Sequence, residues 1–314
     1  MRTGRVIVLA LAAAAAAACG AIRHARVLSP RPAVAPSAQR SAPAPAYRWL
    51  VPTHGSPPSI AAENREPGTG SWRLPGPAAD VGGLAYGPIR GYVSAQALAP
   101  GQVERVYVSD PGAHVARIAV FRMGWYAGRG GREVLVSGRL ALVPQPACAH
   151  SFLTGLTECR WHPTLSFPIP PALPTGVYIT KLSARGGESD CLFVVTANRA
   201  APLLAQLPTA TYEAYNAWGG DSLYPGGTDL VRVTGATQGV EVSYDRPYDS
   251  VTGAGEFFAR DVAMVRFLER YGYPVAYTTS ESVDRDPGQL LGARAVIDFG
   301  HSEYWSERQE SGFA

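Results

Sequence analysis

The C-terminal third of the sequence alternates strand-like and helix-like segments, and this alternation restricts the fold more than any other feature. Leu203–Leu207, Val275–Thr279 and Ala295–Phe299 are apolar runs of strand length. Between the first two, Phe257–Tyr271 carries apolar residues at helical spacing. Strands that alternate with helices at these lengths predict a parallel α/β sheet within residues 200–314.

Residues 84–199 have a different pattern. Short β-branched and aromatic runs are separated by turn residues such as Asp110-Pro111-Gly112. Frequent short strands with turn signals predict a β-sandwich, closed by a hairpin of Gly176–Ser183 and Cys191–Thr196. The predicted fold is therefore mixed: a β-sandwich domain followed by an α/β domain.

The N-terminus has the features of an export signal. Two arginines precede Val6–Ala18, an apolar segment too short to span a bilayer as a resident helix. AAACG at 16–20 resembles a bacterial lipobox, which would make Cys19 the lipidated first residue. We expect residues 1–21 to direct export, leaving the protein either lipid-anchored to the membrane or secreted after ordinary cleavage.

Residues 22–83 are rich in Pro, Ala, Ser and Gly, a composition that predicts a semi-extended linker. Within it, the apolar island Tyr47–Val51 either docks on a later domain or has no role. The net charge is only +3, so there is no electrostatic reason to expect nucleic acid as a partner.

Three cysteines remain after Cys19, and an oxidising compartment would allow one disulfide among them. Cys148 and Cys159 would close the shorter loop, and Cys191 lies inside an apolar strand-like run. We favour the Cys148–Cys159 pairing, although connectivity does not follow from sequence. The sequence contains no CxxC spacing, so we do not expect a zinc site.

A histidine and a glutamate follow the last predicted strand. Gly300 ends that strand, and His301 and Glu303 come directly after it. Ligands of open α/β sheets bind beyond the carboxyl ends of the strands. Residues at i and i+2 point to one side of an extended chain, so the two side chains should meet there. Such a pair also arises without function, which leaves a structural role open.

Four short motifs occur in order in the second half of the chain. They are AYNAWGGDSLY (214–224), VSYDRPY (242–248), FLERYGY (267–273) and GHSEYW (300–305). Together they resemble the large (beta) subunit of N,N-dimethylformamidase and its relatives, over roughly residues 84–314. The resemblance implies a class I glutamine-amidotransferase-like α/β domain. In that family the domain continues further, so we expect residues 200–314 to be a truncated version of it.

The resemblance also implies a mononuclear non-haem iron held by two tyrosines and a glutamate, and hydrolysis of a small amide. When the family's residues are mapped onto this sequence, the glutamate corresponds to Glu303 and a catalytic histidine corresponds to His301. Tyr215 and Tyr248 are the expected tyrosines, and Tyr212 is the alternative to Tyr215. Phenolate and carboxylate are hard donors that suit ferric iron.

Three functions therefore remain open. The first is an exported, iron-dependent hydrolase acting on a small linear amide, with a homo-oligomer or a small subunit as partner and membrane contact only through the lipid. The second is a non-catalytic envelope module that binds glycan or protein. The third is an inactive, truncated relative. Metal content separates the first from the others.

Overall fold

The computed structural model describes residues 46–76, 82–224 and 238–314, together with the backbone of residues 7–9 and 26–28. Cys19, the predicted lipidation site, lies outside the described residues, as does most of the predicted export signal. Within the described part, no helix combines the length and apolar character needed to cross a membrane.

The chain contains three successive groups of elements. The first comprises β1 (Ile7–Leu9), β2 (Arg26–Leu28), β3 (Tyr47–Trp49) and α1 (Ile60–Glu63). The second comprises β4 (Arg90–Val93), β5 (Ala97–Leu98), β6 (Val103–Ser109), β7 (Val115–Met123), β8 (Gly131–Ser137), β9 (Leu140–Ala141), β10 (Ala149–His150), β11 (Thr157–Glu158), β12 (Pro163–Pro168), β13 (Gly176–Ala184) and β14 (Gly187–Val195). The third comprises β15 (Leu203–Leu207), α2 (Thr209–Tyr215), β16 (Glu241–Ser243), α3 (Val262–Arg270), β17 (Val275–Thr279), α4 (Ser280–Arg285), β18 (Ala295–Asp298) and α5 (Glu307–Phe313).

The second group forms the sheet-rich part of the molecule. Its larger sheet has the order β3-β8-β7-β13-β14-β5, with β9 added to β7, and curls into a half-barrel. A smaller sheet, β12-β6-β4, shares one apolar core with it, to which Val106 and Phe167 contribute from one sheet and Val120 and Phe193 from the other. The sequence predicted a β-sandwich here; the structure shows a sheet-rich part with a curled half-barrel sheet, and the predicted β13–β14 hairpin is present.

The third group contains the parallel sheet. Its strand order is β1-β18-β15-β17, and every pairing is parallel. β1 lies within the predicted export signal, so the sheet of a chain cleaved there would be β18-β15-β17. The segment predicted as one helix, Phe257–Tyr271, consists of a π-helical turn at Phe257–Asp261 followed by α3. Gly272, with φ +65°, follows the helix in the left-handed conformation that commonly ends one.

The predicted linker is folded over residues 46–76, the longest part of it that the structure describes. β3 pairs with β8, and Trp72 is fully buried, with its ring stacked on Phe258 at a centroid distance of 5.4 Å. Glu63 forms an ion pair with Arg132 at 2.9 Å. The linker prediction is wrong for this range because a few apolar and charged residues anchor it, and an average composition does not reveal them.

A disulfide joins Cys148 to Cys159, the pairing favoured from the sequence, and Cys191 is buried and free. The loop that the bridge closes rests on the third group of elements, where Val240 N donates to Thr154 O at 2.7 Å. The bridge therefore shapes a contact between the sheet-rich part and the segment just before β16.

A buried ion pair holds the two parts together. Arg122 on β7 and Glu269 on α3 form two hydrogen bonds of 2.8 and 2.9 Å, and both side chains are fully buried. Tyr277 Oη donates to Glu269 at 3.0 Å, and Asn64 donates to the same carboxylate. The residues of this network come from α3, β17, the sheet-rich part and the segment after α1, so their contacts exist only when these regions are packed together.

Glu104 makes the stability depend on pH. Its carboxylate is fully buried on β6 and accepts hydrogen bonds from Ser94 and from Arg105 N, while burial raises its pKa to about 8. Because the unfolded pKa is near 4.3, folding binds a proton between the two values. The stability from this group is therefore complete below about pH 4 and is lost as the pH rises through about 8.

We expect Glu104→Gln, which cannot ionise, to lose less stability than the wild type between pH 5 and pH 9. At 1.36 kcal/mol per unit of pKa, the difference reaches about 4 kcal/mol. Urea unfolding at the two pH values measures it. Glu310→Gln, at an exposed position, is the control and should follow the wild type. Parallel pH profiles for Glu104→Gln and the wild type would contradict the assignment.

Candidate metal centre

Two neighbouring strands of the parallel sheet, β15 and β18, end at the same edge. Gln206 is the register partner of Asp298, and its Nε2 donates to Asp298 Oδ1 at 2.8 Å. After these positions the chain leaves the sheet, through Pro208 into α2 and through Gly300 into 301–305. Both segments therefore begin at the carboxyl ends of parallel strands, where α/β proteins bind ligands.

Gly300 allows the sharp turn after β18. Its φ is +43°, and a Cβ at this position would collide with the Asp261 carboxylate. Beyond the turn, Thr211 Oγ1 accepts hydrogen bonds from the backbone N–H groups of Glu303 and Tyr304, both at 3.0 Å. Thr211 lies one turn before Tyr215 on α2, so the same helix holds Glu303 and presents a tyrosine to it.

Glu303 lies between two tyrosines. Tyr215 Oη donates to Glu303 Oε2 at 2.7 Å, and the Tyr224 hydroxyl donates to Glu303 Oε1. The two phenol rings stack with centroids 4.2 Å apart. Because the Glu303 side chain is 39% exposed, the three groups converge at a surface that a small ligand can reach.

Both phenols are held in the protonated state. Burial, followed by the hydrogen bond to Glu303, raises the pKa of Tyr215 and also that of Tyr224. A phenol becomes an anionic ligand only when a strongly charged cation displaces its proton. Two phenol protons directed at one carboxylate are the protons that such a cation would replace, so these donors fit a hard metal ion.

His301 lies between two carboxylates. Its Nε2 is 3.1 Å from Glu303 Oε2, and its Nδ1 is 3.7 Å from Glu256 Oε2. The interaction with Glu256 raises the pKa of His301. Glu256 is itself buried and forms an ion pair with Arg260 at 3.1 Å, which anchors the carboxylate behind the imidazole. The expected meeting of His301 and Glu303 is present in the structure.

Tyr248, the second tyrosine expected from the resemblance, does not join this cluster. It is 7% exposed, belongs to the main apolar core, and its hydroxyl has no hydrogen-bond partner. The sequence places Tyr248 after a strand, but that strand, β16, pairs with β2 in a separate sheet. Its end therefore does not share the edge formed by β15 and β18. Tyr224, and not Tyr248, is the second tyrosine that contacts Glu303.

Tyr212, the alternative to Tyr215, also lies outside the cluster at Glu303. Its side chain is buried, and its hydroxyl donates to the Asp261 carboxylate. Tyr215, three residues further along α2, is the tyrosine that reaches Glu303.

Tyr224 is the site residue that sequence reasoning missed. It closes the same motif in which Tyr215 stands, and Gly219 and Gly220 lie between the two tyrosines. A Gly-Gly pair is a turn signal, and a turn that reverses the chain would bring the tyrosines together. In the structure Leu223 N donates to Ala214 O at 2.8 Å and completes that reversal.

Among the described residues, no group of three or more His, Cys, Asp and Glu side chains could hold a metal ion. The cluster at Glu303 is of another kind, because two of its three oxygen donors are phenols. These observations define a class of protein: a sheet-rich part packed on a parallel sheet whose carboxyl edge bears a Tyr–Tyr–Glu–His cluster.

The comparison with protein families identifies the family. Residues 117–313 match the family described as N,N-dimethylformamidase beta subunit-like, C-terminal. The match covers more than half of the 314 residues, so the chain belongs to this family. It begins within β7 and therefore includes strands of the sheet-rich part as well as the parallel sheet. No curated protein matches the chain.

Proposed function

We propose that this chain carries the active site of an exported, iron-dependent hydrolase of small linear amides. The observation that supports it most directly is that Glu303 accepts hydrogen bonds from both Tyr215 and Tyr224, with His301 Nε2 at 3.1 Å. Membership of the dimethylformamidase-like family supports amide hydrolysis as the reaction class.

Tyr215, Tyr224 and Glu303 would hold the iron, because phenolate and carboxylate oxygens suit a hard ferric ion. When bound, such an ion polarises an amide carbonyl and lowers the pKa of a water molecule. His301 is placed to accept a proton from water at Nε2 or to pass one to the leaving amine. Glu256 Oε2 lies 3.7 Å from Nδ1, beyond hydrogen-bond distance, and its negative charge favours the protonated imidazole.

Two further features belong to the proposal. The parallel order β18-β15-β17 and a site at its carboxyl edge support a class I glutamine-amidotransferase-like domain. The Cys148–Cys159 disulfide supports export, with a lipid anchor at Cys19 or release by cleavage, because disulfides persist in oxidising compartments. A soluble fraction for Cys19→Ala, against membrane retention of the wild type, is expected if the anchor is present.

Two tyrosine-to-phenylalanine variants test the metal site. We expect Tyr224→Phe to lower iron affinity by more than the roughly 10–100-fold typical of lost outer contacts, because it removes a ligand. Tyr248→Phe is the matched control and should keep wild-type iron, because its hydroxyl has no partner to lose. Elemental analysis and the tyrosinate-to-iron absorption band measure both. Equal iron in the two variants would reject Tyr224 as a ligand, and a folded wild type without iron would favour a binding module.

A further inference from the structure

A closed loop, residues 214–223, connects the two tyrosines of the cluster. Tyr215 lies within this loop, and Tyr224 follows it directly. The hydrogen bond from Leu223 N to Ala214 O closes it at 2.8 Å. At the closing end, Ser222 Oγ accepts from Tyr224 N at 3.2 Å. Tyr215 ends a helix, but Tyr224 belongs to no helix or strand. The separation of the two phenols therefore depends on the shape of this loop.

The guanidinium of Arg246 fills the inside of the loop. Its Nη2 donates to Asn216 O at 2.7 Å, and its Nη1 donates to Trp218 O at 3.3 Å and to Asp221 O at 3.1 Å. Arg246 is 1% exposed. One side chain thus gives three loop carbonyls the hydrogen bonds that a helix or sheet would otherwise supply.

Glu213 connects the same arginine to the helix that presents Tyr215. Arg246 Nε donates to Glu213 Oε1 at 2.7 Å, and both side chains are fully buried. Asn216 Nδ2 donates to the same carboxylate oxygen at 3.1 Å and to Pro247 O at 2.9 Å. The guanidinium is therefore bonded at once to α2, on which Tyr215 stands, and to the loop that leads to Tyr224.

We propose that Arg246 is a positioning residue of the metal centre, which sets how the Tyr215 and Tyr224 hydroxyls face each other across Glu303. This inference rests on the proposed function, because the consequence is metal affinity. Arginine is needed because its planar fork of donors bonds a carboxylate and several carbonyls together. A lysine ammonium can keep the Glu213 contact but cannot reach all three carbonyls.

The chain contains a matched control for the loss of a buried ion pair. Arg122 and Glu269 are also fully buried, with an N–O distance of 2.8 Å. The other partners of Arg122 are Met123 O, Tyr126 Oη and Thr175 O, in the sheet-rich part and the segment before β13. Variants of this pair lose a similar interaction without touching the 214–223 loop.

The experiment compares two sets of variants. The first contains Arg246→Lys and the double variant Glu213→Gln/Arg246→Met, which leaves no unpaired buried charge. The second contains Arg122→Lys and Glu269→Gln/Arg122→Met. Iron affinity is measured by titration with ferric nitrilotriacetate on chains that circular dichroism shows to be folded. We expect about a 10-fold or larger loss and an altered tyrosinate-to-iron band in the first set, and wild-type behaviour in the second.

Equal losses in both sets, or none in the first, would overturn the positioning role. A second readout does not depend on iron: crystal structures of metal-free wild type and Arg246→Lys. We expect the Tyr215–Tyr224 centroid distance of 4.2 Å to change by more than the roughly 0.5 Å that a functional site tolerates. An unchanged distance would overturn the role even if the wild type bound no iron, whereas that lack of iron alone would reject only the proposed function.

Discussion

Glu303→Gln is expected to abolish iron retention while the protein stays folded. Glu303 accepts hydrogen bonds from both Tyr215 and Tyr224, so its carboxylate is the centre of the donor set. Glutamine has no negative charge, and its amide nitrogen directs protons at the metal position. We expect the loss of affinity to exceed the roughly 100-fold upper range for outer-contact variants. The side chain is 39% exposed, so the free energy of unfolding should change by only about 0.5 kcal/mol.

His301→Gln separates metal binding from proton transfer. We expect this variant to keep its iron, because His301 is assigned no ligand role, and to hydrolyse a small amide about 10²–10⁴-fold more slowly. Iron is measured by elemental analysis after desalting, and hydrolysis by the amine released from dimethylformamide and related amides. Full iron in Glu303→Gln would remove Glu303 from the ligand set. Full activity in His301→Gln would remove the acid–base role.

Arg122→Met should give the largest loss of stability, about 3–5 kcal/mol in the free energy of unfolding. The substitution leaves the Glu269 carboxylate fully buried without its cation. Asn64 and Tyr277 still donate to it, but neither carries a charge to compensate the carboxylate. Because Glu269 lies on α3 and Arg122 on β7, the loss also weakens the contact between the two parts of the molecule.

Urea unfolding followed by tryptophan fluorescence measures this effect. Arg160→Met is the control, because its ion pair with Glu158 is 3.6 Å long and its side chain is 71% exposed. Exposed pairs contribute about 0–1 kcal/mol, so this variant should resemble the wild type. The double variant Glu269→Gln/Arg122→Met should recover part of the loss, because no buried charge is left unpaired. If the two single arginine variants were equally stable, the buried ion pair would contribute no more to the free energy of unfolding than the exposed pair.

The position of the candidate site could be predicted from the sequence. Ala295–Phe299 is recognisable as a strand from its apolar run, and Gly300 as its end. Placing His301 and Glu303 at the carboxyl edge of a parallel sheet then needs only the general geometry of α/β folds. The i, i+2 spacing also predicted that the imidazole and carboxylate meet, which they do at 3.1 Å.

The second tyrosine could not be chosen in the same way. Tyr248 and Tyr224 both lie in short motifs that carry the resemblance to the family. Which of them reaches Glu303 depends on strand pairing, because β16 lies outside the four-stranded parallel sheet. It depends equally on the chain reversal that the hydrogen bond from Leu223 N to Ala214 O closes. Gly219 and Gly220 signal a turn there, but they do not say which tyrosine reaches Glu303.

The sequence by itself determined the family, the sheet-rich and parallel α/β parts, and the His301–Glu303 pair, because local periodicity and short motifs carry that information. Only the tertiary structure decided that Tyr224 completes the cluster, that residues 46–76 are folded onto the later chain, and that Arg246 fills the 214–223 loop. These contacts depend on how separate segments pack, and distances between segments far apart in the chain are absent from local patterns.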